Sequence, residues 1–424
     1  MACIKAVNRI CAASAAWVIV ALIALAPWAV QANDEPRLSW SGYGTLSAFQ
    51  AQVRGAGVRP DPLNAGVSRD GDWRLDGDSR LAGQARLGLP AGLEAVVQLA
   101  SSNALDGHYR PRVMWAYLNW AAAPSFNVRV GRQTLPVLRQ SETRDVGVAQ
   151  VAVRPNPAVY ALSVGAPIDG ANATWERSVG SSNWRLDLGA GTSKATLGRT
   201  RIDVRRSLVA ALQWQDGPWM LRGAASDFRV DLGDLSLSRA PVLADCLNCA
   251  DLLASRASGQ GVAGQIYSSL LVWDGHPWEV SAEAVWRSSS SSVLVPRAWG
   301  AYVQISRRQG DWRWHAAAGR QTFKEPALGL APRADASPAS RTGLAVLDQY
   351  LQSPNDLENL QAGVALDITP QMVLKLQHEH WRATRDRSTG RNGLIVLAAP
   401  PLAAQASQWN GRARLTTVSV DFVF

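Results

Sequence analysis

Beyond its first thirty residues the chain contains no apolar run of the roughly eighteen residues that a membrane-spanning helix requires, so helical spans are excluded from that part. Charge is scarce as well. Asp, Glu, Lys and Arg make up 18% of the chain against 47% hydrophobic residues, less charge than a soluble protein of this length usually carries. Lysine supplies only four of the 43 basic residues, at positions 5, 194, 324 and 375, so arginine holds nearly all the positive charge. These arginines are scattered along the chain rather than gathered in a patch, which argues against a nucleic-acid-binding surface. Cysteine occurs four times, Cys3 and Cys11 near the start and Cys246 and Cys249 together; no second Cys or His pair accompanies the latter to complete a metal site. Tryptophan, by contrast, is abundant at 18 residues, and its apolar ring with one polar N–H suits a membrane–water interface.

The start of the chain has the pattern of a secretory leader. Lys5 and Arg9 precede an apolar core from Ala12 to Ala26, and Val30-Gln31-Ala32 offers small residues for cleavage. Pro27 ends the apolar run too early for an anchor. The expected organisation is a cleaved signal peptide, 1–32, followed by a single domain, 33–424.

The other end reads as a strand. Val418, Val420, Phe422 and Phe424 fall on one face of a period-two pattern, and Thr417, Ser419 and Asp421 on the other. One face suits lipid and the other water. Similar segments of about ten residues, enough for a tilted strand to cross a bilayer, recur along the chain. They fall at 38–50, 78–89, 93–100, 113–120, 126–132, 171–176, 184–190, 207–214, 219–228, 262–273, 278–287, 299–306, 312–319, 360–368, 372–379 and 415–424. Their number is even, sixteen. The connections alternate between short turns, such as Pro90-Ala91-Gly92, and long polar loops at 53–77, 101–112, 133–168, 191–204, 229–259, 288–297, 320–357 and 383–410. Eight long loops and seven short turns fit an all-β fold, a closed transmembrane antiparallel barrel with both termini on one side. Trp120, Trp184, Trp214, Trp219, Trp273, Trp278, Trp312 and Trp314 lie beside short turns and predict an aromatic girdle there, with Trp286 and Trp299 in a second girdle at the opposite rim.

The terminal strand resembles the closing strand of Gram-negative outer-membrane porins, in which a final Phe serves as an insertion signal to the barrel-assembly machinery. The order Gly42-Tyr43-Gly44, Asp78-Ser79-Arg80-Leu81-Ala82-Gly83-Gln84, Gly131-Arg132, Arg154-Pro155 and Asp169-Gly170 is similar to a proteobacterial porin-like group. There these elements mark the first two strands, the end of the fifth, an infolded third loop and the start of the sixth. The resemblance implies a diffusion channel for small hydrophilic solutes, often trimeric, with no cofactor and no catalytic residues. It implies no particular solute.

In such a barrel the loop after the fifth strand narrows a bore that sixteen strands would otherwise leave wide. The candidate constriction residues are therefore Arg132, Arg139, Glu142, Arg144, Asp145, Arg154 and Asp169, which offer both signs of charge. Arg80, Arg86 and Arg129 are candidates for the pore wall. By the period-two register the other inward cations are Arg185, Arg205, Arg222, Arg287, Arg313 and Lys375. The inward acids are Glu94, Glu176, Asp187, Glu279, Glu283, Asp367, Glu379 and Asp421. The two sets nearly balance. Removing the leader cations Lys5 and Arg9 from the formal charge of +9 leaves +7, an excess that suits a weakly anion-preferring mouth or contact with outer-membrane lipid and lipopolysaccharide.

Two further groups carry chemistry. Cys246 and Cys249 lie in the fifth long loop, where an oxidising compartment favours a local disulfide. His378 and His380 share one strand face, at a spacing unlike the helical zinc motif HExxH. An exterior His beside a Ser would make a lipolytic barrel. Such a barrel, or a non-conducting structural or adhesive one, is the alternative to a channel.

Overall fold

In a computed structural model the chain folds as a closed antiparallel barrel. The structure describes residues 37–424 apart from 104–106, 164–166, 198–199, 234–240, 257, 292, 325–327, 352–355, 385–392 and 398–408. The proposed leader, 1–32, lies outside the described residues. The wall strands are β1 (Arg37–Gln52), β2 (Arg80–Leu89), β3 (Leu93–Ser102), β4 (Arg112–Ala123), β5 (Phe126–Gln133), β6 (Ile168–Val179), β7 (Ser182–Leu197) and β8 (Thr200–Asp216). They continue with β9 (Trp219–Leu232), β10 (Val262–Gly275), β11 (Trp278–Ser289), β12 (Ala298–Gln309), β13 (Trp312–Phe323), β14 (Leu357–Thr369), β15 (Met372–Ala383) and β16 (Arg412–Val423). Each pairs with its sequence neighbour. The ring closes where β1 pairs with β16, from Tyr43 opposite Val423 to Gln52 opposite Arg414. Closure leaves the wall without an open edge.

All sixteen segments expected from the alternation are present, and one expected loop is not. Residues 191–204 continue β7 and β8 into a long hairpin, paired from Gly191 opposite Ser207 to Leu197 opposite Thr200 with a bulge on the way. Its Gly, Ser and Thr residues read as a loop, yet with cross-strand partners on either side of the bulge they extend the sheet.

The two faces of the wall differ as a membrane demands. Leu38, Leu46, Leu81, Val130, Val303 and Leu360 point outward and are exposed. Thr417, Ser419 and Asp421 of β16 point inward and are buried. An outer surface this apolar is incompatible with water, and a closed barrel leaves no unpaired backbone toward lipid, so the barrel spans a membrane. Trp184, Trp219, Trp278, Trp312 and Trp314 are exposed beside the short turns, and Trp286 is exposed at the other rim. Among the described residues no helix is long and apolar enough to cross a membrane.

At the end carrying the long loops, the chain forms two small apolar cores. In one, the short strand Ala56–Val58 pairs with Ile395–Leu397 and with Ser68–Arg69. Val58, Leu394, Ile395 and Trp409 pack there with the inward-facing Trp381 and Leu415. The other joins α2 (Cys249–Arg256) and α3 (Pro338–Leu351) through Leu328, Leu330 and Leu344. Cys246 and Cys249 are joined by a disulfide in this second core. Between them, Asn248 accepts from the Ala331 N–H at 2.9 Å and donates to Gly329 O at 3.0 Å, tying the fifth loop to the seventh.

Candidate functional site

Residues 134–163 leave β5 and lie against the inner face of the opposite wall, held by side chains that point into the barrel. On β10, Ser268 donates to Val137 O at 2.7 Å, and Arg222 of β9 donates to the carbonyls of Pro136 and Val137. The backbone N–H of Arg139 donates to Glu283 of β11 at 3.0 Å, and its guanidinium donates to Glu279 at 3.2 Å. Glu283 also accepts from the hydroxyls of Tyr160 at 2.9 Å and Tyr302 at 3.1 Å. Burial, followed by the Glu283 charge, pushes the Tyr160 phenol well above its ordinary value, so it remains a donor. A short helix, α1 (Pro157–Tyr160), forms because Pro157 suits a first helical position and Asn156 caps it, accepting from the Ala158 N–H at 3.0 Å. Its Val159 and Tyr160 pack with Leu138 and Leu162 against Ile266, Val285, Tyr302 and Phe323 of the wall.

Farther round the ring, Lys375 of β15 donates to Gly147 O at 2.8 Å and Ala152 O at 2.9 Å, and pairs with Asp421 of β16 at 2.9 Å. Position 147 must be glycine here, because a Cβ would collide with the Asp421 carboxylate. Arg154 is the central tie. It donates to Asp78 at 2.7 Å, to Thr417 at 2.8 Å and to Glu379, all buried. Burial disfavours its charge, but Asp78 and then Glu379 more than reverse this and raise the guanidinium above its ordinary value.

On the side of the lumen bounded by β2 to β7, charges of opposite sign face each other and remain partly open to solvent. Arg129 donates to Glu142 at 2.5 Å and lies 5.6 Å from the Tyr117 ring centre. Arg80 donates to Asp145 at 2.5 Å. Arg86 stands half exposed, 3.7 Å from Glu94.

The residues singled out from the sequence thus separate into three groups. Arg139, Glu142 and Asp145 meet the wall and keep solvent contact, as do Arg86 and Arg129, with Arg80 more nearly enclosed. Arg144 and Arg154 are held by other parts of the chain: Arg144, covered to the same degree as Arg80, binds Asp61 of the first loop and Ser163 O, and Arg154 is enclosed as described. Arg132 and Asp169 leave the group altogether. They lie opposite each other on β5 and β6, share the outward face with Val130, and form two hydrogen bonds of 2.7 Å. Their proximity to the loop in sequence does not bring them into the lumen, because strand alternation turns them out. Asp61, Asp78, Glu283, Lys375 and Glu379 hold the segment in place, a role that register alone does not reveal. The signal in the sequence is the inward register of Glu283, Lys375 and Glu379 on their strands.

His378 and His380 both face outward, and His378 Nδ1 lies 3.0 Å from Thr416 Oγ1, so its hydroxyl partner is a threonine and not a serine.

No family model and no curated protein matches the chain. Solved structures do. The anion-selective porin of Comamonas acidovorans superposes with a TM-score of 0.55 at 12% identity, over 92% of this chain and 100% of that one. The outer-membrane channel DcaP of Acinetobacter baumannii gives 0.53 at 11% identity, covering 92% and 97% of the two chains. OmpT of Vibrio cholerae, in trimer form, gives 0.50 at 9% identity, covering 92% and 100%. At such identities the likeness is one of fold: the chain has the sixteen-stranded fold of outer-membrane porins.

Proposed function

We propose that the protein is an outer-membrane porin that lets small hydrophilic solutes and ions diffuse passively across the outer membrane, with a weak anion preference and no catalysis. The observation that carries this reading is the segment 134–163, bound to the inner wall and facing Arg80 with Asp145 and Arg129 with Glu142, near the half-exposed wall pair Arg86 and Glu94. A plug for a purely structural barrel would be served by apolar packing alone. Paired charges left open to solvent instead suit a water-filled constriction, where fixed groups of both signs act on passing ions. The path runs along β2 to β7, since from β9 round to β16 the inner wall is covered by the segment 134–163, bound by Arg222, Ser268, Glu283, Lys375 and Glu379. Homotrimers are the proposed assembly, in keeping with the trimeric Vibrio cholerae structure of the same fold.

A second reading, a non-conducting adhesive or structural barrel, is favoured by one observation, the apolar cores built from loops at the mouth around Trp381 and Leu344. Single-channel recording of the refolded barrel in a planar bilayer under a salt gradient separates the two. Stable conducting steps with a small anion-directed reversal potential support the porin. Reproducible insertion with negligible conductance overturns it.

A further inference from the structure

The outward face of β15 and β16 changes character abruptly toward the long-loop end. Leu374 and Leu376 on β15, and Val418 and Val420 on β16, form the apolar part. Next come His378 beside Thr416, then two successive rows of basic residue types: His380 opposite Arg414, and Arg382 opposite Arg412. The three arginines are exposed, and among the described residues none of them has an acidic side chain within ion-pair distance. Glu358 of β14 sits opposite Arg382 in the register, but its nearest cation is Arg320 of β13, at 3.9 Å. A cavity of about 280 Å³ opens between Arg382 and Arg412, floored by Asn410 and Gly411.

Like charges directly opposite on neighbouring strands repel, at a separation of about 5 Å. Elsewhere on the outer face a cation finds an acid, as Arg132 does Asp169 at 2.7 Å, and Arg206, although opposite Arg229, does Asp227. Here Arg382 and Arg412 face each other with Arg414 in the next row, and among the described residues none of the three has an ion-pair partner, at the height where the apolar band ends. A membrane lipid presents its charge at that height. Arginine guanidinium groups bind phosphate through two parallel hydrogen bonds, and a cleft between two of them accepts a doubly charged phosphate.

We propose that Arg382, Arg412 and Arg414, with His380 beneath them, form a binding site on the outside of the barrel for the phosphate of a lipid headgroup in the leaflet on the long-loop side. The acyl chains would lie along Leu374, Leu376, Val418 and Val420. The site rests on the porin reading for the orientation of the barrel in its membrane. It does not depend on conduction.

The test uses the refolded barrel in neutral-detergent micelles and native mass spectrometry, titrating with a bisphosphorylated glycolipid, its dephosphorylated form, and inorganic phosphate. Salt is varied in parallel. The expected result is salt-sensitive retention of the phosphorylated lipid and little of the dephosphorylated one. The triple variant Arg382→Gln, Arg412→Gln, Arg414→Gln should weaken binding about tenfold or more, since each loses a charge-assisted hydrogen bond. Triple Arg→Lys substitution should recover part of it. Arg177→Gln, which removes one outward charge at the short-turn rim, should leave binding intact. Equal binding by the triple variant, or by the dephosphorylated lipid, overturns the site. Tight binding of inorganic phosphate alone assigns the arginines to a soluble anion and overturns the lipid. Heat-modifiable gel mobility confirms that the variants fold. Conductance measured on the same samples reports separately on the channel, so unsubstituted protein that conducts normally but retains no phosphorylated lipid refutes this site and leaves the porin reading standing.

Discussion

Arg154 and Asp78 meet through three hydrogen bonds, Nε to Oδ1 at 3.2 Å and to Oδ2 at 3.3 Å, and Nη2 to Oδ2 at 2.7 Å, and both side chains are almost wholly buried. Glu379 completes the cluster from β15. Ion pairs out of water stabilise little by themselves, but removing one member strands the others. Arg154→Ala should therefore destabilise the barrel by about 3–5 kcal/mol and release the segment 134–163 at that end. Thermal unfolding followed by circular dichroism checks the first effect. Noisier and larger single-channel steps check the second. Arg154→Lys keeps the charge but cannot span both carboxylates, and should fall between.

Arg129 and Glu142 are only partly buried, so their pair contributes at most about 1 kcal/mol and its loss should hardly change the melting temperature. Its effect should be on selectivity instead. Glu142→Gln frees the Arg129 charge and should move the reversal potential toward anions, whereas Arg129→Gln should move it toward cations. Equal potentials for the two variants would place the narrowest part of the path elsewhere.

Asp61 supplies the pH dependence. Burial raises its carboxyl, but Arg144 and the Leu63 N–H outweigh this and hold it below its ordinary value of 3.8. A carboxyl lowered on folding contributes stability that is complete above the ordinary value and disappears as pH falls through the lowered one. The contact between the first and third loops should then be intact at pH 5 and above, to order of magnitude in the titration window, and loosen only in acid below the ordinary carboxylate range. Channel noise recorded against pH should rise there in the wild type. In Asp61→Asn it should already be high at neutral pH, with the acid step missing.

The strands were legible because membrane and lumen impose opposite demands on successive residues. β16 shows this plainly: its inward Thr417, Ser419 and Asp421 and outward Val418, Val420 and Phe422 fall where alternation puts them. Alternation also gives the direction of a charge, and so it listed Lys375, Glu379 and Glu283 correctly as inward. It is silent on depth and partner. Whether an inward charge meets water or another part of the chain depends on where the third loop lies, and that is settled by contacts such as Lys375 with Gly147, 228 residues apart. Trp381 shows the same limit. Alternation turns it inward with Glu379, but its cover depends on the first and last loops, which bring apolar partners to the rim, while its N–H finds Glu379 at 2.9 Å.

Barrel closure rests on a fit between the first and last strands. The Gly42 N–H donates to Phe424 O at 2.8 Å, and the Phe424 N–H donates to Gly42 O at 3.0 Å. The Phe424 ring lies over Gly42, and the Phe422 ring over Gly44, the two rings stacked with centres 6.4 Å apart. Covering a strand glycine with an aromatic ring shields exposed backbone and fixes register. A side chain at position 42 would meet both the Phe424 ring and the carbonyl of Ala82, 2.6 Å from the new Cβ, so turning the ring away cannot relieve the clash. Gly42→Val should consequently cost about 1–3 kcal/mol or more in overpacking and register and reduce the yield of closed barrel on refolding. Phe424→Ala removes the ring but leaves the backbone pair, so it should close with a smaller loss. Heat-modifiable gel mobility of the refolded variants reads both. If Gly42→Val closes as fully as the wild type, the seam does not depend on this seat and the register must be held by the remaining pairs from Thr45 to Gln52.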